Sequence, residues 1–171
     1  MVKKSFPKKY VPKYLTKKER KKQAKELEKS KKNYKKGKYY TRKKMSSYKH
    51  VKSQHVKKAI KLYKIKNMKL NKELAKKSGC SLNSLKRIYK KGQGAYYSSG
   101  SRPNQTADSW AYARVASSIT GGKSSKVDYH ILEDGCKKNS KALKLAKKMR
   151  GKGTRRVKQV KIGGRRRTRK Y

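Results

Sequence analysis

The sequence predicts a mainly α-helical protein: a small helical core, including a helix-turn-helix-like hairpin, between long extended basic N- and C-terminal arms. Three observations carry this. Apolar residues recur at helical spacing only in the middle of the chain, and caps and glycines punctuate those segments. Charge falls in blocks: residues 1–50 hold 21 Lys+Arg and three acids, 92–136 hold four of each sign, and 137–171 hold 17 Lys+Arg and no acid. The net charge is +48 over 171 residues, while Leu, Ile, Val and Phe number only 25. So little apolar surface and so much self-repulsion cannot order the whole chain. The expected division is 1–53 as a basic arm with one solvated helix, 54–150 as the core containing the neutral 92–136 segment, and 151–171 as a basic tail. The arms are expected to order only against a polyanion or a partner surface.

The elements follow in order. Thr16 and Glu19 fit a capping box for a helix over 16–32, in which only Ala24 and Leu27 could form an apolar stripe. Residues 33–50 read as turn-like and aromatic-basic. Val56, Ala59, Ile60 and Tyr63 mark an amphipathic helix over 55–63. Asn71 caps a helix through Lys77, and Gly79 ends it in the left-handed conformation. Ser81 caps a second helix with Leu82, Leu85, Ile88 and Tyr89 on one face, closed by Gly92. Thr106 caps a helix holding Trp110, Ala113, Val115 and Ser117, stopped by Gly121-Gly122. Shorter helices are expected around 126–133 and 140–149. The tail has Val157, Val160 and Ile162, too few for a strand with its own core.

Some chemistry lacks players. There is no run of 18 apolar residues to span a membrane and no apolar stretch behind MVKKSFPKKY to make a secretory signal, so an intracellular protein is expected. Cys80 and Cys136 lack CxxC spacing, which favours a reduced pair over a disulfide and no metal site. With only eight acids, most on solvated helices, no carboxylate pair or triad supports catalysis, and His130 reads as a packed or surface histidine. TGGKSS (120–125) lacks the first glycine and the preceding strand of a phosphate-binding loop. Neither an enzyme nor a cofactor or small-molecule substrate is expected.

Polyanion binding is the stronger signal. Leu74, Ala75, Gly79, Leu82, Leu85 and Ile88 fit a helix-turn-helix. Its second helix would present Asn83, Ser84, Lys86, Arg87 and Lys90 outward; a hairpin that merely nucleates the core is the plainer alternative. Basic and aromatic residues interleave in KKY, YYTRKK, YKH and RIYKK. Lys outnumbers Arg 44 to 12, and lysine acts as a point charge, so binding should be avid and non-specific. Lys86, Arg87, Lys90 and the tail residues Arg155, Arg156, Arg165, Arg166 and Arg167 are the candidate polyanion contacts.

The segments GQGAYYSSGSRPNQTADSWAYARVASSITGGKSSKVDYHIL and GCKKNSKALKLAKK resemble a family of small, very basic proteins of large DNA viruses of algae and other protists. YVPKYLTKKERKKQAKELEKSKKNYKKGKYYTRKK and AKKSGCSLNSLKRIYKKG are similar to it as well. SGSRPNQT and W-x-x-A-R are the specific parts. The resemblance implies a virion context: a minor capsid-associated protein on the inner side of the shell, cementing capsid proteins while its arms meet the genome or an anionic membrane surface. A non-specific genome-condensing protein and a ribosomal-type RNA-binding protein are the alternatives. Tyr96, Tyr97 and Trp110 are then candidate apolar anchors for a partner. Arg102 and Arg114 are candidate charge-assisted contacts, toward Asp108 or a partner's carboxylates, with Pro103, Asn104 and Gln105 as rigid hydrogen-bonding neighbours. The same window could equally be an internally folded cap.

Overall fold

The protein is described from a computed structural model, which covers residues 4–49, 53–150 and 159–162. It is mainly α-helical and falls into two compact units. Of the described residues, unit 1 holds 4–49, 97–105 and 159–162, and unit 2 holds 53–96 and 106–150. The tail residues Arg155, Arg156, Arg165, Arg166 and Arg167 lie outside the described residues.

Unit 1 begins with strand β1 (Lys4–Pro7). Helix α1 (Lys17–Lys35) follows, capped by the Thr16 hydroxyl accepting from the Glu19 amide. Its buried side is Gln23, Ala24, Leu27 and Ser30, half of it polar. Residues 36–49 have no regular structure, yet Met45 and Tyr48 pack with Leu15 in a small cluster. Strand β2, Gln159–Ile162, pairs antiparallel with β1, placing Phe6 opposite Val160. Val157, Val160 and Ile162 are too few for a strand with its own core, but a backbone ladder with β1 needs none.

Unit 2 is built around an apolar core. Helices α2 (Gln54–Tyr63), α3 (Lys72–Ser78) and α4 (Leu82–Ser98, its last two residues in unit 1) come first. They are followed by α5 (Ala107–Ile119), α6 (Lys123–Val127), α7 (Tyr129–Gly135) and α8 (Lys141–Arg150). Ala59, Leu74, Leu85, Ile88, Val115, Ile119, Leu132, Leu143 and Ala146 share that core. Burying each large aliphatic side chain contributes about 1.5–3 kcal/mol. The Tyr63 hydroxyl donates to the Ile119 carbonyl at 2.5 Å, so the ring is buried with its polar end satisfied.

The hairpin is present and punctuated as its residues dictate. The Asn71 side chain accepts from the Leu74 amide, Gly79 caps α3 at φ +70°, and the Ser81 hydroxyl accepts from the Ser84 amide. Three details differ from expectation. Helix α4 does not stop at Gly92. A Cβ at Gly92 would stand 2.6 Å from Ala111 Cα, so this glycine serves the close approach of α4 and α5. Asp128 splits the helix expected over 126–133, since its backbone leaves helical geometry where its carboxylate turns to Arg114. Cys80 and Cys136 form a disulfide rather than a reduced pair. The Ser81 amide donates to Gly135 O and the Lys137 amide to Gly79 O, a short ladder that brings the two cysteines face to face.

Candidate docking and polyanion surfaces

The neutral window divides between the units. In unit 1, residues 97–105 comprise the last two residues of α4 and the loop after them, fixed along its length. The Ser30 hydroxyl donates to Tyr97 O at 3.2 Å. The buried Arg42 guanidinium donates to Ser30 Oγ at 2.9 Å and to Ser101 Oγ at 2.7 Å. The Asn104 side chain acts as a three-way staple: its Oδ1 accepts from the Met45 amide, and its Nδ2 donates to Met45 O and Tyr48 O, all within 2.9 Å. Asn104 stands at φ +56°, a left-handed backbone that asparagine tolerates better than most residues. Gly100 stands at φ +91°, where a side chain is strained, and a Cβ there would meet Leu27 Cδ2 at 2.6 Å.

What the loop shows to solvent is narrower than the window suggested. Arg102 is exposed, Pro103 is buried, and Gln105 is half-buried. Tyr97 is half-buried, stacked on Tyr34 with centroids 6.0 Å apart and tilted against Tyr39 at 5.0 Å. Arg42, which organises the loop, was not singled out from the sequence. One arginine among 56 basic residues carries no local mark of burial.

The remaining candidates lie in unit 2. Tyr96 is fully buried and presents no surface to a partner. Trp110 is half-buried at the start of α5, which the Thr106–Ser109 capping box holds in place. Arg114 does not reach Asp108. Its guanidinium grips the fully buried Asp128 carboxylate in two bonds of 2.9 and 2.7 Å, with Ser118 Oγ donating to the same carboxylate and Lys91 Nζ at 3.2 Å. Burial alone would raise the Asp128 pKa, but Arg114, Ser118 and Lys91 together hold it below the usual value. Asp108 accepts instead from the Tyr89 hydroxyl and from Gln93.

On the hairpin's second helix, Asn83, Lys86, Arg87 and Lys90 are exposed as expected. Ser84 is the exception: it is buried against Gly135, where any Cβ would overlap its hydroxyl. Arg87 faces Asp134 at 3.7 Å. An acid beside the would-be reading face repels phosphates, and the disulfide ties the hairpin turn to the end of α7. Both features fit a core hairpin better than a groove reader.

The acids, few as they are, are largely engaged by groups of the protein itself. Glu19 accepts from the hydroxyls of Ser47, Ser46 and Thr16 and from the Ser47 amide, and these bonds, the Ser47 hydroxyl first, lower its pKa to about 2. Glu26 accepts from the Tyr40 hydroxyl and the Lys43 amide, and Glu133 from the Tyr129 hydroxyl. Glu73 pairs instead with Lys77, Asp134 with Arg87, and Asp128 with Arg114 and Lys91. With eight acids against 56 Lys+Arg, the surface keeps a strongly positive field. Among the described residues, no group of three or more His, Cys, Asp or Glu could hold a metal, and no helix is long and apolar enough to cross a membrane.

A family model, described as a family of unknown function (DUF5824), matches residues 7–139. The chain matches no curated protein and no solved structure.

Proposed function

The chain belongs to this family of unknown function over most of its length, and we propose that its role is structural: a non-catalytic, polyanion-binding protein of a large viral particle. In this reading it lies on the inner side of the capsid shell as a minor capsid-associated component. The fixed segment 97–105 and its exposed Arg102 meet a capsid protein, while the lysine surface and tail meet the genome or an anionic membrane. The observation that supports it best is the contrast between the loop and its surroundings. A nearly uncharged segment is held rigid by Arg42 and Asn104 in a chain of 56 Lys+Arg against eight acids whose lysines largely face water. Rigid loops lose little entropy on docking, and unneutralised lysines bind polyanions through counterion release.

The test is location. Dissociated particles should release this protein with the shell fraction, and Arg102→Ala should reduce its incorporation several-fold while leaving DNA affinity within about twofold, since one charge among many is a small part of that affinity. Recovery of the protein with the genome core, and normal incorporation of the Arg102 variant, would instead assign it to genome condensation.

A further inference from the structure

Unit 1 carries a second surface, along α1. The buried residues Gln23, Ala24, Leu27 and Ser30 lie on one side of this helix. Lys18, Lys22, Lys25, Lys29 and Lys32 recur at intervals of four, three, four and three, which at 100° per residue places them together on the opposite side, and all five are exposed. Lys36, the C-cap, continues the row. At about 1.5 Å per residue the row runs about 27 Å, with an ammonium every 5 Å or so. A groove of about 470 Å³ lined by Lys25, Glu28, Lys29, Lys32, Asn33 and Lys36 follows its C-terminal half.

Each end of α1 is flanked in sequence by a tyrosine that water reaches. Tyr14 is 68% exposed and Tyr39 is 74% exposed. Neither ring stands alone. Tyr14 stacks on Tyr48 with centroids 5.9 Å apart and planes 21° from parallel. Tyr39 leans on Tyr97 at 5.0 Å and on Tyr34 at 6.2 Å. A ring backed on one side and open on the other has its orientation fixed before anything binds, so a further stacking partner adds contact at small entropic cost.

The chemistry of the ligand follows from exposed lysines on α1 together with open rings on the segments that flank it in sequence. A lipid surface is gripped by apolar residues set beside the lysines, whereas the apolar residues of α1 are turned inward. A nucleic-acid duplex offers phosphates but keeps its base faces stacked. A single strand offers both phosphates and open bases. We propose that unit 1 binds single-stranded nucleic acid without sequence preference, with phosphates along the α1 lysines and bases on the outward faces of Tyr14 and Tyr39. The proposal rests on the polyanion-binding part of the function proposed above and names the kind of polyanion.

Fluorescence anisotropy with the full chain tests it, using a labelled oligothymidylate of about twenty nucleotides and a duplex of the same length. Tyr14→Ala with Tyr39→Ala should weaken single-strand binding roughly 10- to 100-fold, in line with the value of base–aromatic stacking, and leave duplex binding within about twofold. Tyr14→Phe with Tyr39→Phe should bind the single strand like the parent chain. Replacing Lys25, Lys29 and Lys32 with Gln should weaken both ligands and flatten the single-strand log–log salt slope by about 2. The exposed tyrosines can be removed without unfolding, which circular dichroism of each variant checks. Equal loss for both nucleic acids, or no loss, in the tyrosine-to-alanine variant overturns this proposal; steep salt-dependent binding by the parent chain would then leave the broader reading intact. No binding of either nucleic acid at low salt overturns both. Weakened sedimentation with phosphatidylserine vesicles, beside unchanged oligonucleotide binding, would assign the tyrosines to lipid and also overturn it.

Discussion

The two units solve the same problem by different means. Unit 2 concentrates the apolar residues of a lysine-rich chain into one core and adds a disulfide and a buried Arg114–Asp128 pair. Among the described residues, unit 1 buries far fewer apolar side chains, including Tyr10, Val11, Leu15, Ala24, Leu27, Met45 and Tyr48. Its irregular segments are instead tied by side chains that bond to backbone or to each other: Asn104 to Met45 and Tyr48, Arg42 to Ser30 and Ser101, and Glu26 to Lys43. The difference teaches that a chain too polar for a continuous core can order a stretch without regular structure by satisfying its backbone groups one at a time. Such order is directional and local. Losing a bond exposes a few groups, whereas losing a core contact disturbs many neighbours.

The sharpest way to break the comparison is to attack the buried carboxylate of unit 2. Arg114→Ala leaves a fully buried carboxylate at Asp128 with only the Ser118 hydroxyl and Lys91 to hold it. Removing one partner of a buried pair costs about 3–5 kcal/mol. The melting temperature of unit 2 should fall accordingly, and amide exchange in α5–α7 should rise. Arg114→Met combined with Asp128→Asn should recover part of the loss, because no uncompensated charge then remains inside. A single Arg114→Ala change that leaves melting unmoved would show that the pair contributes nothing to this core.

Much of unit 2 was legible in the sequence, because its signals are local. Asn71, Gly79, Ser81 and Thr106 act within a turn of where they stand, and the spacing of Leu85 and Ile88 declares a buried face without reference to anything distant. What was not legible depends on distant partners. Gly92 reads as a stop until Ala111 is seen packed on it, and Ser84 reads as outward until Gly135 makes room for it. The Cys80–Cys136 bond depends on a ladder between residues 56 positions apart. Unit 1 was the harder reading for the same reason. Its order rests on Arg42 meeting Ser101 across 59 residues and on β1 meeting β2 across the length of the chain. Of the candidate docking residues, Arg102 stands exposed, but Tyr96 is fully buried and Arg114 is engaged by the buried Asp128 carboxylate. The lysine row on α1 was visible as a four-three repeat, though only the buried side opposite shows that the repeat faces water.

A middling effect is expected from the staple of unit 1. Asn104→Ala removes three hydrogen bonds and puts a residue with no polar side chain at φ +56°. Partly exposed groups regain water, so the loss should be about 2–3 kcal/mol rather than the full sum of the bonds. Asn104→Gly makes the same deletion without the backbone strain and should be milder by about 1 kcal/mol. Hydrogen exchange resolved by segment should show the loosening at 45–48 and 97–105, with α7 and α8 unaffected. Equal protection in the two variants would mean that the left-handed backbone, and hence the choice of asparagine, matters less than the bonds.

The smallest effect is the most specific to unit 1. Glu19 is held ionised by the Ser47 hydroxyl and amide, helped by Ser46 and Thr16, with its pKa lowered from 4.5 to about 2. A carboxyl whose folded pKa is depressed stabilises the fold fully above its unfolded value and loses that contribution as pH falls through the folded one. The contacts of residues 46 and 47 with the α1 N-terminus should therefore be unchanged at pH 6 and weaken progressively between about pH 4.5 and 2. Exposure of the carboxylate to water keeps the contribution small, so a local probe is needed. The Ser47 amide resonance should titrate with a midpoint near 2, and in Glu19→Gln that titration should vanish while exchange at residues 46 and 47 becomes independent of pH once the intrinsic rate is removed. The buried Asp128 is depressed as well, but by the Arg114 guanidinium against the cost of burial, so acid should loosen α6 and α7 in a step that Glu19→Gln does not touch. If the Ser47 resonance instead moves near pH 4.5, the serine bonds do not hold the carboxylate, and residues 46 and 47 reach α1 through the packing of Met45 and Tyr48 on Leu15 alone.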